Sequence, residues 1–128
     1  MQLYAEISPG ELFDKITILE IKSEKISDSK KQVNVKKERQ ILSMTRDENI
    51  VMSDELSGLT SDLKEVNETL WGIEDDIRDC ERNKDFGPKF IELARSVYIE
   101  NDKRALLKNK INQFLNSNLF EEKSYKAY

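Results

Sequence analysis

The stretch that decides the fold is PKFIELARSVYIENDKRALLKNKIN, residues 88–112. Its pattern predicts one long helix, from residue 88 to about residue 116, with an apolar stripe at alternate steps of four and three. The stripe fails in the middle, where three consecutive inward positions are polar or cationic. The stripe positions are Phe90, Ala94, Val97, Asn101, Arg104, Lys108, Ile111 and Leu115. This polar break is the most function-like feature of the sequence.

The segment from about residue 53 to residue 82 supplies a partner for that helix. Its apolar residues alternate at steps of three and four over more than three heptads, which is typical of a coiled-coil seam. Gly87 can end one helix and Pro88 can begin the next, so the two helices are predicted to form an antiparallel hairpin. The seam residues are Leu56, Leu59, Leu63, Val66, Leu70, Ile73, Ile77 and Cys80.

Two shorter helices are predicted before the hairpin. The sequence Ser8-Pro9-Gly10-Glu11 has the residues of a helix start with a capping box, and it predicts a helix over about 9–26. A second helix is predicted over about 30–44, followed by a loop. The predicted fold class is therefore all-α: an elongated helical bundle built on the hairpin of about 53–82 and 88–116, in a single domain over residues 1–128.

The composition excludes several classes of function. The chain has no histidine, so histidine-based acid–base chemistry and Ser/His or Cys/His nucleophile pairs are absent. A net charge of −4 does not favour general binding to nucleic acid. A single cysteine, Cys80, excludes an internal disulfide and a thiolate zinc site. The absence of a long apolar run and of a signal-peptide pattern predicts a cytoplasmic protein without a membrane partner.

Four segments resemble motifs of a known family. They are ISPGELFDKITILEIK (residues 7–22), LWGIEDDIRDCE (70–81), FIELARSVYIENDKRALLKNKIN (90–112) and EEKSY (121–125). These segments resemble the motifs of an uncharacterised family of small, all-helical bacterial and bacteriophage proteins, and the resemblance covers essentially the whole chain. It implies a compact helical protein with no established activity.

The polar break is a candidate ligand site. One alternative is that Arg104 and Lys108 extend along the seam with their charged ends in solvent. The other is that the N-terminal helices cover the break, so that acids or an anionic small molecule neutralise its cations. Arginine suits carboxylate or phosphate recognition, which favours a phosphorylated or sugar-like ligand. The candidate residues are Tyr98, Asn101, Arg104, Lys108, Lys15, Asp14 and Glu20.

A candidate interface lies off the seam at Trp71, beside Lys64 and Arg78. Gly72 costs helix stability, so something large is expected to pack there, either another part of the chain or a second copy. The acidic residues Glu74, Asp75, Asp76 and Asp79 and the basic run over residues 30–39 are interpreted as solvated faces, with no metal and no cofactor.

These observations leave two functions from different classes. The first is a non-enzymatic binding or adaptor protein that forms a homodimer or binds another protein. The second is a small-molecule-binding protein or a carboxylate-, Lys- or Arg-based enzyme with its site at the polar break. No catalytic residue is assigned.

Overall fold

The computed structural model describes all of residues 1–128 and is entirely helical, with no strand. In chain order the helices are α1 (Pro9–Lys25), α2 (Ser29–Asn49), α3 (Asp54–Arg82) and α4 (Pro88–Phe114). The predicted all-α class is confirmed. The bounds of α1, α3 and α4 lie within two residues of those predicted.

The prediction for α2 was wrong at its C-terminal end. A loop was expected after residue 44, but the helix continues to Asn49. Polar side chains in this last part hydrogen-bond back to helix carbonyl groups. The Thr45 hydroxyl donates to the carbonyl oxygen of Ile41 at 3.3 Å, and the Asn49 amide donates to that of Thr45 at 2.8 Å. The helix therefore accommodates residues with turn propensity here, with their side chains hydrogen-bonded to its own backbone.

Helix α1 is the central element, because it alone contacts each of the other three helices. Its closely spaced apolar residues are buried on more than one face, as their spacing predicted. Phe13 joins one core cluster with Leu56 and Leu63 of α3 and Ile111 of α4. Complete burial of each of these side chains contributes about 1.5–3 kcal/mol.

Helices α3 and α4 pack against each other over much of their length. Leu56, near the start of α3, packs in one cluster with Ile111, near the end of α4. The linker between the two helices covers residues 83–87 only. Helix α2, in contrast, packs against α1, and its backbone comes close to neither α3 nor α4. One long face of α2 is therefore left without a partner inside the chain.

The C-terminal tail returns along α4. The Asn109 amide donates to the carbonyl oxygen of Glu121 at 3.0 Å, and the Tyr128 hydroxyl donates to Asp102 at 3.0 Å. The Tyr98 and Tyr128 rings meet edge to face with 5.3 Å between their centroids. The tail thereby brings the carboxylate of Glu121 to the middle of α4. No helix combines the length and the apolar character that crossing a bilayer requires.

Candidate functional site

The site begins with the way α1 docks on α4. Ser8 caps the helix by accepting a hydrogen bond from the Glu11 amide at 3.1 Å, and Pro9 occupies the first turn. Gly10 then lies directly on the α4 backbone, where its amide donates to Asn112 Oδ1 at 2.7 Å. A Cβ atom at Gly10 would stand 2.9 Å from the carbonyl carbon of Lys108. This close approach sets Asp14, one turn later, opposite Arg104.

Asp14 is the centre of the site, with 1% of its surface exposed. Its two oxygens accept hydrogen bonds from Arg104, Oδ1 from Nε at 2.9 Å and Oδ2 from Nη2 at 2.5 Å. The Asn67 amide donates to Asp14 Oδ1 and to Thr17 Oγ1, each at 3.0 Å. A two-point pair of this kind is among the strongest side-chain interactions and fixes the orientation of both groups. Through its bonds with Asn67 and Arg104, Asp14 connects α1 with α3 and α4 at one point.

Lys108 lies one turn beyond Arg104 and is buried among acids. Its Nζ atom is 2.8 Å from Glu11, 3.0 Å from Glu121 and 4.0 Å from Asp14. Its side chain is only 9% exposed, so it does not extend into solvent, and that alternative is wrong for Lys108. Three carboxylates therefore surround the two cations, and the cluster carries a net charge of about −1 at neutral pH.

The surroundings of the two cations favour their charged forms. The hydrogen bonds with Asp14 raise the pKa of Arg104, against the opposing effect of burial. Burial lowers the pKa of Lys108, but hydrogen bonds with Glu11 and Glu121 outweigh this, and the pKa is raised above its ordinary value. Both side chains consequently keep their protons and act as fixed positive charges.

The raised pKa of Lys108 predicts a loss of stability in alkali. Since this pKa is higher in the folded state than in the unfolded state, the stabilisation is complete below the unfolded value of about 10.4 and is lost as pH rises through the folded value. The free energy of unfolding, measured by urea denaturation, should therefore fall above about pH 10.4. The fall should be smaller in Lys108→Met and unchanged in the exposed control Lys15→Met. Equal falls in all three proteins would contradict the assignment.

The structure brings together some of the other predicted ligand residues and separates the rest. Asn101 lies beside Arg104 and lines the same groove. Tyr98 packs against Tyr128 of the tail instead. Lys15 is exposed on α1, and Glu20 pairs with Lys64 at 3.3 Å rather than with the central cations. The cluster at the polar break is thus smaller than predicted.

Of the three predicted interface residues, Trp71 and Arg78 line one groove and Lys64 lies outside it. Lys64 bridges Glu20 and Glu24 of α1, and Arg78 pairs with Glu74 one turn away at 3.1 Å. Nothing of the same chain packs closely at Gly72, because a Cβ atom added there would meet no atom within 4 Å. Gly72 therefore lies on an open face of α3.

A groove of about 430 Å³ lies between α1, α3 and α4, next to the pair of Asp14 and Arg104. Its apolar part comes from all three helices, and its polar part includes two asparagines, Arg104 and the ion pair of Glu74 with Arg78. The lining residues are Ile18, Asn67, Leu70, Trp71, Glu74, Asp75, Arg78, Val97, Asn101 and Arg104. The polar break therefore has a closed side, which is the ion cluster, and an open side, which is this groove.

Comparison with known proteins identifies the family. The model described as "Family of unknown function (DUF6165)" matches residues 3–128. The chain belongs to this family. The DUF6165 match agrees with the resemblance stated from the motifs in covering nearly the whole chain and in carrying no assigned function. No curated protein matches the chain. No solved structure matches it either.

Two of the four acidic residues singled out on α3, Glu74 and Asp79, pair with arginines of the same helix. Arg78 Nη2 lies 3.1 Å from Glu74, and Arg82 Nη2 lies 3.4 Å from Asp79. No group of three or more His, Cys, Asp or Glu side chains is placed to hold a metal ion. The Lys and Arg side chains of the basic run on α2 are all exposed.

Sequence reasoning missed several residues of the DUF6165 site. Asn67 is 5% exposed and Asn112 is fully buried, and neither was named as a candidate from the sequence. Glu11 was interpreted only as a capping residue and Gly10 only as part of a helix start. A signal for Gly10 existed, since glycine in the first turn of a well-capped helix lowers its stability unless something requires it. Glu121 gave no signal, because the tail has no periodicity.

Proposed function

We propose that this protein is a non-enzymatic binding protein that self-associates through α2, in an antiparallel pair of helices. The observation that carries this proposal is the free face of α2. Within the chain, the backbone of α2 comes close only to that of α1. The adaptor role follows from the overall plan that we infer, an elongated bundle on an antiparallel hairpin of α3 and α4. In such a plan the dimer would hold two hairpins apart and leave their outer surfaces free.

The arrangement of the central cluster supports binding rather than catalysis. A lysine that acts as a base or nucleophile needs a lowered pKa, which burial without acidic neighbours produces. The pKa of Lys108 is raised instead. Both oxygens of Asp14 are engaged by Arg104, so this carboxylate is not free to move a proton. The enzyme alternative is therefore not the one that we propose.

The free face of α2 carries a stripe of three exposed apolar residues, with a charged residue at each end and the exposed Lys37 between them. Val33, Ile41 and Met44 are 66%, 53% and 54% exposed, although each is a large apolar side chain. Lys30 and Glu48 extend the stripe at helical spacing toward the two ends of the helix. Neither of them forms an ion pair within the chain.

The stripe is complementary to itself only when two copies run in opposite directions. In a two-fold antiparallel pair, Val33 meets the partner's Met44, and Lys30 meets the partner's Glu48. The same contacts then occur twice. A parallel pair would instead place lysine against lysine and glutamate against glutamate, which costs stability. We therefore place self-association on α2 rather than at Trp71, Lys64 and Arg78, whose charges have partners inside the chain.

A charge exchange on α2 tests this arrangement. Lys30→Glu should weaken the dimer about tenfold, since two attractive pairs become repulsive, at roughly 0.5–1 kcal/mol each. The double variant Lys30→Glu with Glu48→Lys should restore the affinity, because both pairs are re-formed with opposite sign. Sedimentation equilibrium of each variant gives the dissociation constants. Arg39→Glu, at an exposed position on the opposite side of α2 from Lys30, makes the same change of charge and is the control.

A second variant tests the apolar part of the same surface. Met44→Glu should yield a monomer that keeps its helical circular dichroism, because Met44 lies outside the core. A weak dimer with an association free energy of about 4–5.5 kcal/mol has a dissociation constant of about 0.1–1 mM. The proposal fails if the native protein is still monomeric at these concentrations. It also fails if the double charge variant is no tighter than Lys30→Glu alone.

A further inference from the structure

We propose that the groove between α1, α3 and α4 binds an uncharged ring rich in hydroxyl groups, such as a pyranose sugar unit. This inference goes beyond self-association and uses different residues, because α2 contributes nothing to the groove. A volume of about 430 Å³ lies within the range of small-molecule sites, roughly 300–1,000 Å³. The occupant is identified by the hydrogen-bonding groups, the apolar surface and the charge of the lining.

The lining presents polar atoms that the protein leaves unpaired. Asn67 is 95% buried, and its amide group donates to Asp14 and Thr17, but its Oδ1 atom accepts no hydrogen bond from the chain. Arg104 uses Nε and Nη2 for Asp14, which leaves Nη1 free as a donor. Asn101 forms no side-chain hydrogen bond and offers both a donor and an acceptor. These atoms are open to the groove, where a polar ligand can pair with them in place of water.

The mixture of donors and acceptors fits hydroxyl groups in particular. Each hydroxyl can donate one hydrogen bond and accept others, so it can satisfy Asn67 Oδ1, Arg104 Nη1 and either atom of Asn101. The free carboxylate of Asp75, which pairs with no cation, is a further acceptor for a hydroxyl proton. A purely apolar ligand would leave all of these atoms without partners.

The apolar part of the groove fits the carbon face of such a ring. Trp71, Ile18, Leu70 and Val97 form it, and Trp71 is the largest surface among them. An aromatic side chain supplies a flat apolar surface with one polar N–H group at its edge. The groove therefore offers one apolar wall beside several hydrogen-bonding atoms, which matches a ring with C–H groups on one face and hydroxyls at its rim.

The charge of the lining opposes an anionic ligand. Arg104 is neutralised by Asp14 and Arg78 by Glu74, while Asp75 stays unpaired. An added phosphate would meet a net negative surface. The sequence suggested two classes of ligand, phosphorylated and sugar-like. The charge of the lining favours the uncharged, sugar-like class.

Fluorescence of Trp71 gives a direct measurement, because it is the only tryptophan in the chain. The probes are glucose, galactose, mannose, rhamnose and N-acetylglucosamine, each titrated at constant ionic strength. Glucose 6-phosphate and adenosine are the competing classes. We expect a saturable change in emission with at least one uncharged sugar and binding at least about tenfold weaker for glucose 6-phosphate. The titration is repeated with Met44→Glu, so that loss of the dimer and loss of sugar binding are distinguished.

Asn101→Leu tests the site itself. Asn101 has no partner in the chain, so the variant should fold normally and keep the Trp71 reporter, yet bind the sugar at least about tenfold more weakly. Asn34→Leu, an exposed asparagine on α2, should bind as the native protein does. The proposal is overturned if no sugar gives a saturable change, if glucose 6-phosphate or adenosine binds more tightly than every sugar, or if Asn101→Leu binds unchanged.

Discussion

Replacing Asp14 with alanine should lower the free energy of unfolding by about 3–5 kcal/mol. Asp14 is almost completely buried and accepts hydrogen bonds from Arg104 and Asn67. Its removal leaves a partly buried guanidinium and one N–H of the Asn67 amide group without an acceptor, and it opens a small cavity. Urea denaturation followed by circular dichroism measures the change. Since Arg104 retains some exposure, we expect a value near the lower end of the range.

Two variants distinguish the loss of the Asp14–Arg104 pair from the general effect of removing an aspartate. Asp62→Ala, at an exposed position of α3 without an ion pair, should change stability by less than about 0.5 kcal/mol. The double variant Asp14→Leu with Arg104→Met removes both charges and should recover much of the loss, because apolar side chains of similar size often replace a buried ion pair without cost. A double variant as unstable as Asp14→Ala would show that the pair itself is not the cause.

Replacing Gly10 with alanine should lower the free energy of unfolding by about 3 kcal/mol, near the upper end of the range for overpacked sites. The added Cβ atom would lie 2.8 Å from Asn112 Oδ1 and closer still to the backbone oxygen of Lys108. The backbone of α4 cannot move aside cheaply, so α1 must shift, and the hydrogen bond from Gly10 to Asn112 is weakened. The shift also disturbs the pairing of Asp14 with Arg104.

The chain contains a matched control for this substitution. A Cβ atom at Gly72, in the interior of α3, meets nothing within 4 Å. Gly72→Ala should therefore raise the free energy of unfolding by about 0.5–1 kcal/mol, because alanine restricts the unfolded chain and favours the helix. Chemical denaturation of both variants should give changes of opposite sign. Destabilisation in both would show that the close approach at Gly10 is not the decisive contact.

The helices were predictable because their signals are local. Ser8 and Pro9 define the start of α1 and Ser53 that of α3, each through a cap that a few neighbouring residues complete. The alternating apolar spacing of α3 likewise depends only on positions within one helix. The end of α2 was missed for a local reason too, since Thr45 and Asn49 favour turns in isolation but bond to the helix backbone here.

The candidate site was only partly predictable because its partners are distant in sequence. The polar break in α4 marked Arg104 and Lys108, and Asp14 was named among their possible partners. Glu11 and Glu121 were not, since a capping residue and an aperiodic tail give no sign of where their carboxylates lie. Glu20 forms an ion pair with Lys64 instead, so this acid does not reach the central cations.

The sequence by itself determined the four helices, the central burial of α1 and the position of the polar break, because capping and periodicity act within a few residues. Only the tertiary structure decided that Gly10 lets α1 approach α4, that Asp14 and not Glu20 neutralises Arg104, and that Asn67 and Asn101 face an open groove. Each of these contacts joins separate helices, and its free energy depends on distances and burial that arise only when the helices pack.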